Sequence, residues 1–296
     1  MNDLRRFITF IINSYKKTDF PDTVNFEITE RCNLKCEHCY QMKNSSNQAD
    51  TFTDSEWEDK FKYYHSIGVK NAIITGGEPT LRPEVIKSAY SIFNFITIVS
   101  NGISKISESL NCRIFVSIDG PEKIHNLIRG GDVFKKTVAN IKGDKRIIIT
   151  PTLSKTNYMY LNEFMEIAKE SETFGIMFST YTSHTHEKDN LLLSESELDY
   201  VVNELLKLRK KYKTILLMTP YMIKLLKTKK HTKKCFMKNH NKVISFSSSL
   251  KEKKPCVIGN NVNCDTCGCV VPIIAHALCV ADIRAWILFS KIFPDK

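Results

Sequence analysis

An α/β fold of parallel βα units is what this sequence predicts, on three observations. Short runs rich in β-branched and aromatic residues alternate with stretches of helical periodicity, strand then helix, six times over. Small polar and glycine-containing turns follow those runs, at the strand ends where the loops of parallel folds gather. The chain's 296 residues are enough for one large α/β domain with a small appendage. Periodicity does not separate a closed barrel from an open doubly wound sheet.

Taken in order, Leu4 to Tyr15 places Leu4, Phe7, Ile8, Ile11 and Ile12 at helical spacing, which predicts a core-capping helix within residues 1–22. Val24, Phe26 and Ile28 alternate with polar neighbours, so Thr23–Thr29 reads as a strand. The further strands are Ala72–Thr75, Phe95–Ser100, Ile114–Ile118, Arg146–Thr150 and Phe174–Phe178. Helices are expected over Ser55–Ile67 with Asp54 as N-cap, then over Pro83–Phe93, Val133–Ile141 and Tyr158–Glu170. Glu195–Tyr212 carries Leu198, Val201, Val202, Leu205, Leu206 and Leu208 and should pack on the outside of the core. The expected organisation is a core over 23–230, a cysteine-rich segment over 235–270 and an apolar helix over 271–296. Asp282 and Arg284 near the middle of that last segment argue against a membrane span. A helix packed on the core or at a membrane interface fits better, which keeps peripheral membrane contact open.

Composition is that of an ordinary globular protein, 42% hydrophobic and 25% charged. No basic segment followed by an apolar run and a small-residue cleavage site is found, so the expected location is the cytoplasm. The ten cysteines are then reduced thiols or metal ligands and not a disulfide framework. Cys112 and Cys279, in apolar surroundings, read as buried thiols. The net charge of +11 would attract anions. The basic run from Lys224 to Lys234 nevertheless lacks the aromatics of a base-stacking platform.

Cys32, Cys36 and Cys39 follow the first strand. They suit either three corners of a four-iron cluster, with one iron left open, or half of a zinc site. Gly76-Gly77-Glu78-Pro79 follows the second strand, where paired glycines admit close backbone approach of a ligand. Ser100-Asn101-Gly102 ends the third strand, and Ser117-Ile118-Asp119-Gly120 ends the fourth, followed by His125, Asn126 and Arg129. Thr150, Thr152, Asn157, Ser179, Thr180 and Tyr181 are expected to face a substrate. His184, His186 and Glu187 are weaker candidates for substrate contact, since His-x-His on a polar loop is more often solvated. A second group, Cys235, Cys256, Cys264, Cys267 and Cys269, suits a structural zinc or an auxiliary iron–sulfur cluster.

The Cys-x-x-x-Cys-x-x-Cys spacing with Tyr40 directly after it, and the Gly-Gly-Glu-Pro turn, resemble the core motifs of the radical S-adenosylmethionine (SAM) superfamily. That resemblance covers about Thr23 to Phe178 and implies a partial (β/α)6 TIM-like barrel. It implies a [4Fe–4S] cluster on Cys32, Cys36 and Cys39 whose fourth iron is chelated by the amine and carboxylate of SAM. It further implies reductive cleavage of SAM to a 5′-deoxyadenosyl radical that abstracts a substrate hydrogen atom. Cofactor contacts would come from Tyr40, Gly76, Gly77, Glu78, Pro79, Asn101, Ser117 and Asp119.

The second cysteine group resembles the shortened auxiliary-cluster extensions of SPASM or Twitch type. Cys235 and Cys256 are further apart than usual, and Lys251 stands where a glycine is expected. One auxiliary [4Fe–4S] cluster is expected, with five cysteines for four places. A peptide or protein substrate leads, since the fourth-strand segment is similar to that of peptide modifiers; a lipid or isoprenoid comes second and RNA third. A ferredoxin or flavodoxin is the implied electron donor. The competing reading is a non-enzymatic zinc-binding nucleic-acid module, whose affinity would fall steeply with salt.

Overall fold

The computed structural model describes residues 21–41, 50–184, 189–239, 243–259, 261–280 and 282–293. The predicted N-terminal helix lies outside them, as do His186 and Glu187. The main elements, leaving aside helical turns of three or four residues, are β1 (Thr23–Glu27), α1 (Asp54–Ser66), β2 (Asn71–Thr75), α2 (Pro83–Ile92), β3 (Phe95–Ser100), β4 (Arg113–Val116), α3 (Glu122–Arg129), α4 (Phe134–Ile141), β5 (Ile147–Ile149), β6 (Thr152–Leu153), α5 (Leu161–Glu170), β7 (Gly175–Ile176), β8 (Ser179–Thr180), α6 (Glu195–Lys211), α7 (Pro220–Thr228), β9 (Val243–Phe246), β10 (Glu252–Lys253), α8 (Val270–Cys279) and α9 (Ile283–Ile292).

The main sheet runs in the order β10-β9-β1-β2-β3-β4-β5-β7, and β6 pairs with β8 separately. Every pairing is parallel except β9 with β10. This is the α/β architecture expected, a mostly parallel sheet with helices that resembles a partial TIM-like barrel. β9 was not expected: it extends the sheet from within the cysteine-rich segment, in register with β1 from Thr23↔Val243 to Phe26↔Phe246.

Period-two alternation in β1 sorts its side chains. Val24 and Phe26 join the aromatic cluster of Trp57, Phe61 and Phe93, with the Phe26 ring 5.2 Å from Phe61 and 5.3 Å from Tyr64. The intervening Asn25 and Glu27 are also buried, on the other face, where Thr75 Oγ1 donates to Asn25 Oδ1 at 3.1 Å. A second core packs β4, β5 and β7 against α5, α6, α7, α8 and α9.

The N-cap of α1 is Thr53 and not Asp54. Thr53 Oγ1 accepts from the Glu56 N–H at 3.3 Å while the Thr53 N–H donates to Glu56 Oε2 at 2.7 Å, a reciprocal box that Asp54 is not placed to make. Asp54, freed from capping, pairs with Arg82. Thr53→Ala is expected to cost about 1 kcal/mol in urea denaturation, whereas Asp54→Ala should leave the α1 cap intact.

The terminal apolar segment is two helices and not one. Asp282 N-caps α9 through its Oδ1, which accepts from the Arg284 N–H at 3.1 Å, and its Oδ2 accepts from Thr219 Oγ1 at 2.8 Å. Ile273, Ala277, Leu278, Ala285 and Trp286 are buried in the second core. Cys279 is exposed rather than buried, because it sits one residue past Leu278 on the solvent side of α8; Cys112 is half-buried. Among the described residues no helix is long and apolar enough to cross a membrane.

Candidate active site

The loop carrying the first three cysteines continues β1 and is held against the turn that continues β2. The Gly77 N–H donates to the Thr29 carbonyl at 2.8 Å and the Glu78 N–H to the Arg31 carbonyl at 2.9 Å. The two backbones touch so closely that a Cβ on Gly77 would lie 2.3 Å from the Arg31 oxygen, and one on Gly76, at φ +149°, 2.6 Å from the Thr29 oxygen. Only glycine permits this approach. Arg82 braces the same loop from behind: its Nη1 donates to the Ile28 carbonyl at 3.2 Å and its other nitrogens pair with Asp54.

Glu78 is buried and binds across two strand ends. Oε1 accepts from Thr80 N–H at 3.0 Å, Thr80 Oγ1 at 2.6 Å and Ser100 Oγ at 2.8 Å, and Oε2 accepts from the Asn101 N–H at 2.8 Å. Asn101 in turn donates from Nδ2 to Asn33 Oδ1, inside the cysteine loop, at 2.8 Å. Pro79 is buried and opens the turn after Glu78. Ser117, half-buried, donates its N–H to the Ser100 carbonyl at 3.1 Å, which sets the ends of β3 and β4 side by side. The structure thus brings Gly76, Gly77, Glu78, Pro79, Asn101 and Ser117 to the same end of adjacent strands as the cysteine loop.

Asp119 reaches the same end, but its carboxylate is turned toward protein groups. Oδ1 accepts from the Thr152 N–H at 2.9 Å, Oδ2 forms an ion pair with Arg129 and lies 3.7 Å from His38 Nε2. Burial alone would raise this carboxyl, and Arg129, His38 and the Thr152 N–H outweigh it, holding it below the usual range. Asn157, expected at the substrate face, is instead fully buried, because Nδ2 donates to the Asp119 and Thr152 carbonyls and Oδ1 accepts from the Ser154 N–H.

His125 Nδ1 accepts from the Asp119 N–H at 3.1 Å, which requires the neutral ring. Burial, aided by Arg129, lowers this imidazole from 6.5 to about 4. Above pH 6.5 folded and unfolded rings are both neutral. As the pH falls from 6.5 toward 4 the unfolded ring takes a proton that the folded one refuses, so stability falls, by up to about 3 kcal/mol from this group. Urea denaturation at pH 7 and pH 5 should show a smaller loss for His125→Asn than for the parent; an equal loss would count against this assignment.

Cys32, Cys36 and Cys39 lie within electrostatic reach of one another. Burial pushes Cys32 up to about 11 and also raises Cys36. Thiols so placed ionise readily only beside a cation, which is what a metal cluster provides. The donor set therefore fits a thiolate-held cluster. Among the described residues no three His, Cys, Asp or Glu side chains converge as on a single ion. In a cluster each thiolate holds its own iron.

The second group gathers at the mouth beside β8. Gly268 bridges Thr180: the Thr180 N–H donates to the Gly268 carbonyl at 3.0 Å, and the Gly268 N–H to Thr182 Oγ1 at 3.2 Å. A Cβ on Gly268 would lie 1.6 Å from Thr180 Oγ1. This docking sets Cys267 and Cys269 at the strand end, within electrostatic reach of Cys235, with Cys256 and Cys264 in the same group. Burial raises all four of Cys256, Cys264, Cys267 and Cys269, Cys256 to about 11. Lys229 Nζ approaches Thr180 Oγ1 at 3.4 Å and the Thr266 carbonyl at 3.3 Å, and burial lowers it to about 8.

Tyr40 stands between the two cysteine groups. Its phenol is raised by burial first, then by Glu27, Cys39, Cys256 and Cys269. Lys253 Nζ sits 5.0 Å from its ring centroid and donates to Glu27 Oε1 at 2.6 Å, while the His184 ring is 6.2 Å away. Lys253, Glu27, Lys229, His38 and the Asp119 partner Arg129 were not among the expected contacts. Arg129 alone carried a sequence signal, as the last residue of the His125-Asn126-x-x-Arg129 stretch after the fourth strand.

The radical SAM superfamily model matches residues 26–170. The AdoMet-dependent heme synthase of Methanosarcina barkeri is 32% identical over 198 residues, 61% of this chain and 57% of that protein. The PqqA peptide cyclase of Rhizobium meliloti is 23% identical over 209 residues, 64% of this chain and 56% of that one. Streptococcus suis SuiB bound to its precursor peptide SuiA has the same fold, with a TM-score of 0.64 at 15% identity, over 95% of this chain and 70% of that chain. The chain spans about half the length of the curated relatives it matches, from 57% down to 50% for the first three.

Proposed function

Since the chain belongs to the radical SAM superfamily through its domain at residues 26–170, we propose that it is an enzyme that binds a [4Fe–4S] cluster on Cys32, Cys36 and Cys39 and seats SAM on the turn from Gly76 to Pro79. The clasp between the cysteine loop and that turn carries this reading. Two backbone hydrogen bonds and two glycines fix the thiols relative to the carbonyl-rich turn, so the two halves of a cofactor site are preorganised. When bound, such a cluster supplies the electron that cleaves SAM to methionine and a 5′-deoxyadenosyl radical.

The chain's own part is to hold and shield. Glu78, its carboxylate fixed by Thr80, Ser100 and Asn101, keeps the ends of β2 and β3 together under the ligand. Ser117 and Asn101 offer small polar groups to SAM. Tyr40, pinned by Lys253, closes the side toward the second cysteine group. That group holds one auxiliary [4Fe–4S] cluster, with four places shared among Cys235, Cys256, Cys264, Cys267 and Cys269. The matching organisation is a core over 23–230, an auxiliary-site segment over 235–270 and a terminal helical segment over 271–296.

A peptide or protein side chain is the proposed substrate. The likeness to a peptide cyclase and the fold shared with a precursor-peptide enzyme support that class, and so does the His125-Asn126-x-x-Arg129 segment after β4. A ferredoxin or flavodoxin in a reducing cytoplasm would deliver the electron. Anaerobic purification should give a brown protein containing iron and sulfide that forms 5′-deoxyadenosine from SAM and dithionite. A colourless protein with stoichiometric zinc and no SAM cleavage would sink the proposal.

A further inference from the structure

Arg129 is a buried charge that the proposed function leaves unused. It ends α3, is 7% exposed, and sends its guanidinium inward. Nη1 donates to Cys36 Sγ at 3.7 Å, and Nη2 pairs with Asp119 Oδ2. The end of α3 is itself fastened to the cysteine loop. The Glu37 N–H donates to the Ile128 carbonyl at 2.8 Å, and Gly130 closes the helix at φ +72°, with its missing Cβ 2.8 Å from the Lys35 oxygen. Asp119 is fixed in turn by the Thr152 N–H, and its peptide group by His125 and Asn157. From Thr152 to Cys36 the chain of contacts is held at every link.

Resting on the reading of Cys36 as a cluster ligand, we propose that Arg129 is a positioning residue that sets the reduction potential of the first cluster through its N–H···S bond to Cys36, and that Asp119 moderates that effect. Reduction adds one negative charge, shared onto the thiolate sulfurs. A fixed cation against one sulfur stabilises the reduced form more than the oxidised form and so raises the potential. Burial keeps solvent and salt from screening it. The Asp119 carboxylate opposes the cation, so Cys36 meets the field of an ion pair and not that of a bare guanidinium.

Signs distinguish this from a structural role. Removing the cation lowers the potential; neutralising Asp119 while keeping Arg129 raises it. Loosening the site would move both variants the same way.

The test uses the full chain carrying Cys256→Ala and Cys267→Ala, so that only the first site retains a cluster, with Arg129→Gln, Arg129→Lys or Asp119→Asn added. Each protein is reconstituted anaerobically and titrated potentiometrically by EPR. Arg129→Gln should make the reduced cluster about tenfold scarcer at a given low potential, a downward shift of ~59 mV for a one-electron couple. Arg129→Lys should shift less, and Asp119→Asn should shift upward. If Arg129→Gln does not retain iron, the opposed signs of Arg129→Lys and Asp119→Asn carry the same test.

Equal or same-direction shifts overturn the proposal. So does an unchanged potential with weakened SAM binding in Arg129→Gln, which would make Arg129 a ligand for the SAM carboxylate. A parent protein without an iron–sulfur cluster would overturn the proposed function itself, a result visible before any Arg129 variant is made.

Discussion

Cys32→Ala, Cys36→Ala and Cys39→Ala combined should reduce 5′-deoxyadenosine formation to the level seen without protein, and should remove about half of the iron if both sites hold four-iron clusters. The effect is all-or-none because the thiols share one loop and act on one ligand. With no thiolate left, burial offers the metal nothing in exchange for its desolvation. The second cysteine group lies on other elements, docked on β8 through Gly268, and should keep its own iron. Iron, sulfide and nucleoside analysis of the same preparation reads both halves of the result. Undiminished SAM cleavage in the triple variant would remove the assignment of the first cluster.

Gly77→Ala should come next in size. The added methyl would sit 2.3 Å from the Arg31 oxygen, 2.7 Å from its carbonyl carbon and 2.7 Å from the Glu30 oxygen, all backbone atoms that cannot swing aside. Overpacking of this kind costs about 1–3 kcal/mol even where side chains can adjust. Here relief requires parting the cysteine loop from the Gly76–Pro79 turn, and a displacement of about 1 Å at a reacting centre costs about a hundredfold in rate. The expected result is a folded protein with a shifted cluster spectrum, weaker SAM binding and a loss of about two orders of magnitude in SAM cleavage. Gly131→Ala is the matched control: its Cβ would meet only Val133 and Leu34 at ordinary contact distances of 3.6 and 3.7 Å. Equal activity in the two variants would show that the clasp is not what organises the site.

Much of this was legible in the sequence because it is local. The alternation of Val24, Phe26 and Ile28 marks β1, and glycine pairs or Asn-Gly at the next strand ends mark close approaches. What escaped depends on distant partners. β9 is four residues long and owes its strand character to its register with β1, more than two hundred residues away. α3 is eight residues long, too short for periodicity to announce, and without it Arg129 has no direction. Asp119 was therefore read as a cofactor contact when its carboxylate faces Arg129 and Thr152. The Asp54 assignment failed for a smaller reason, two adjacent capping residues of which only Thr53 has its glutamate at the right spacing.

Thr180 sits in two neighbourhoods at once: it lies at the end of β8, and it carries Gly268 and, at 3.4 Å, the Lys229 amine. Any substitution there that reshapes the end of β8 also disturbs the seat of Cys267 and Cys269. On the proposed reading, in which this strand faces the substrate, adaptation to a new substrate along β8 is coupled to the seat of the second cysteine group. Lineages that change one should be found to have renegotiated the other.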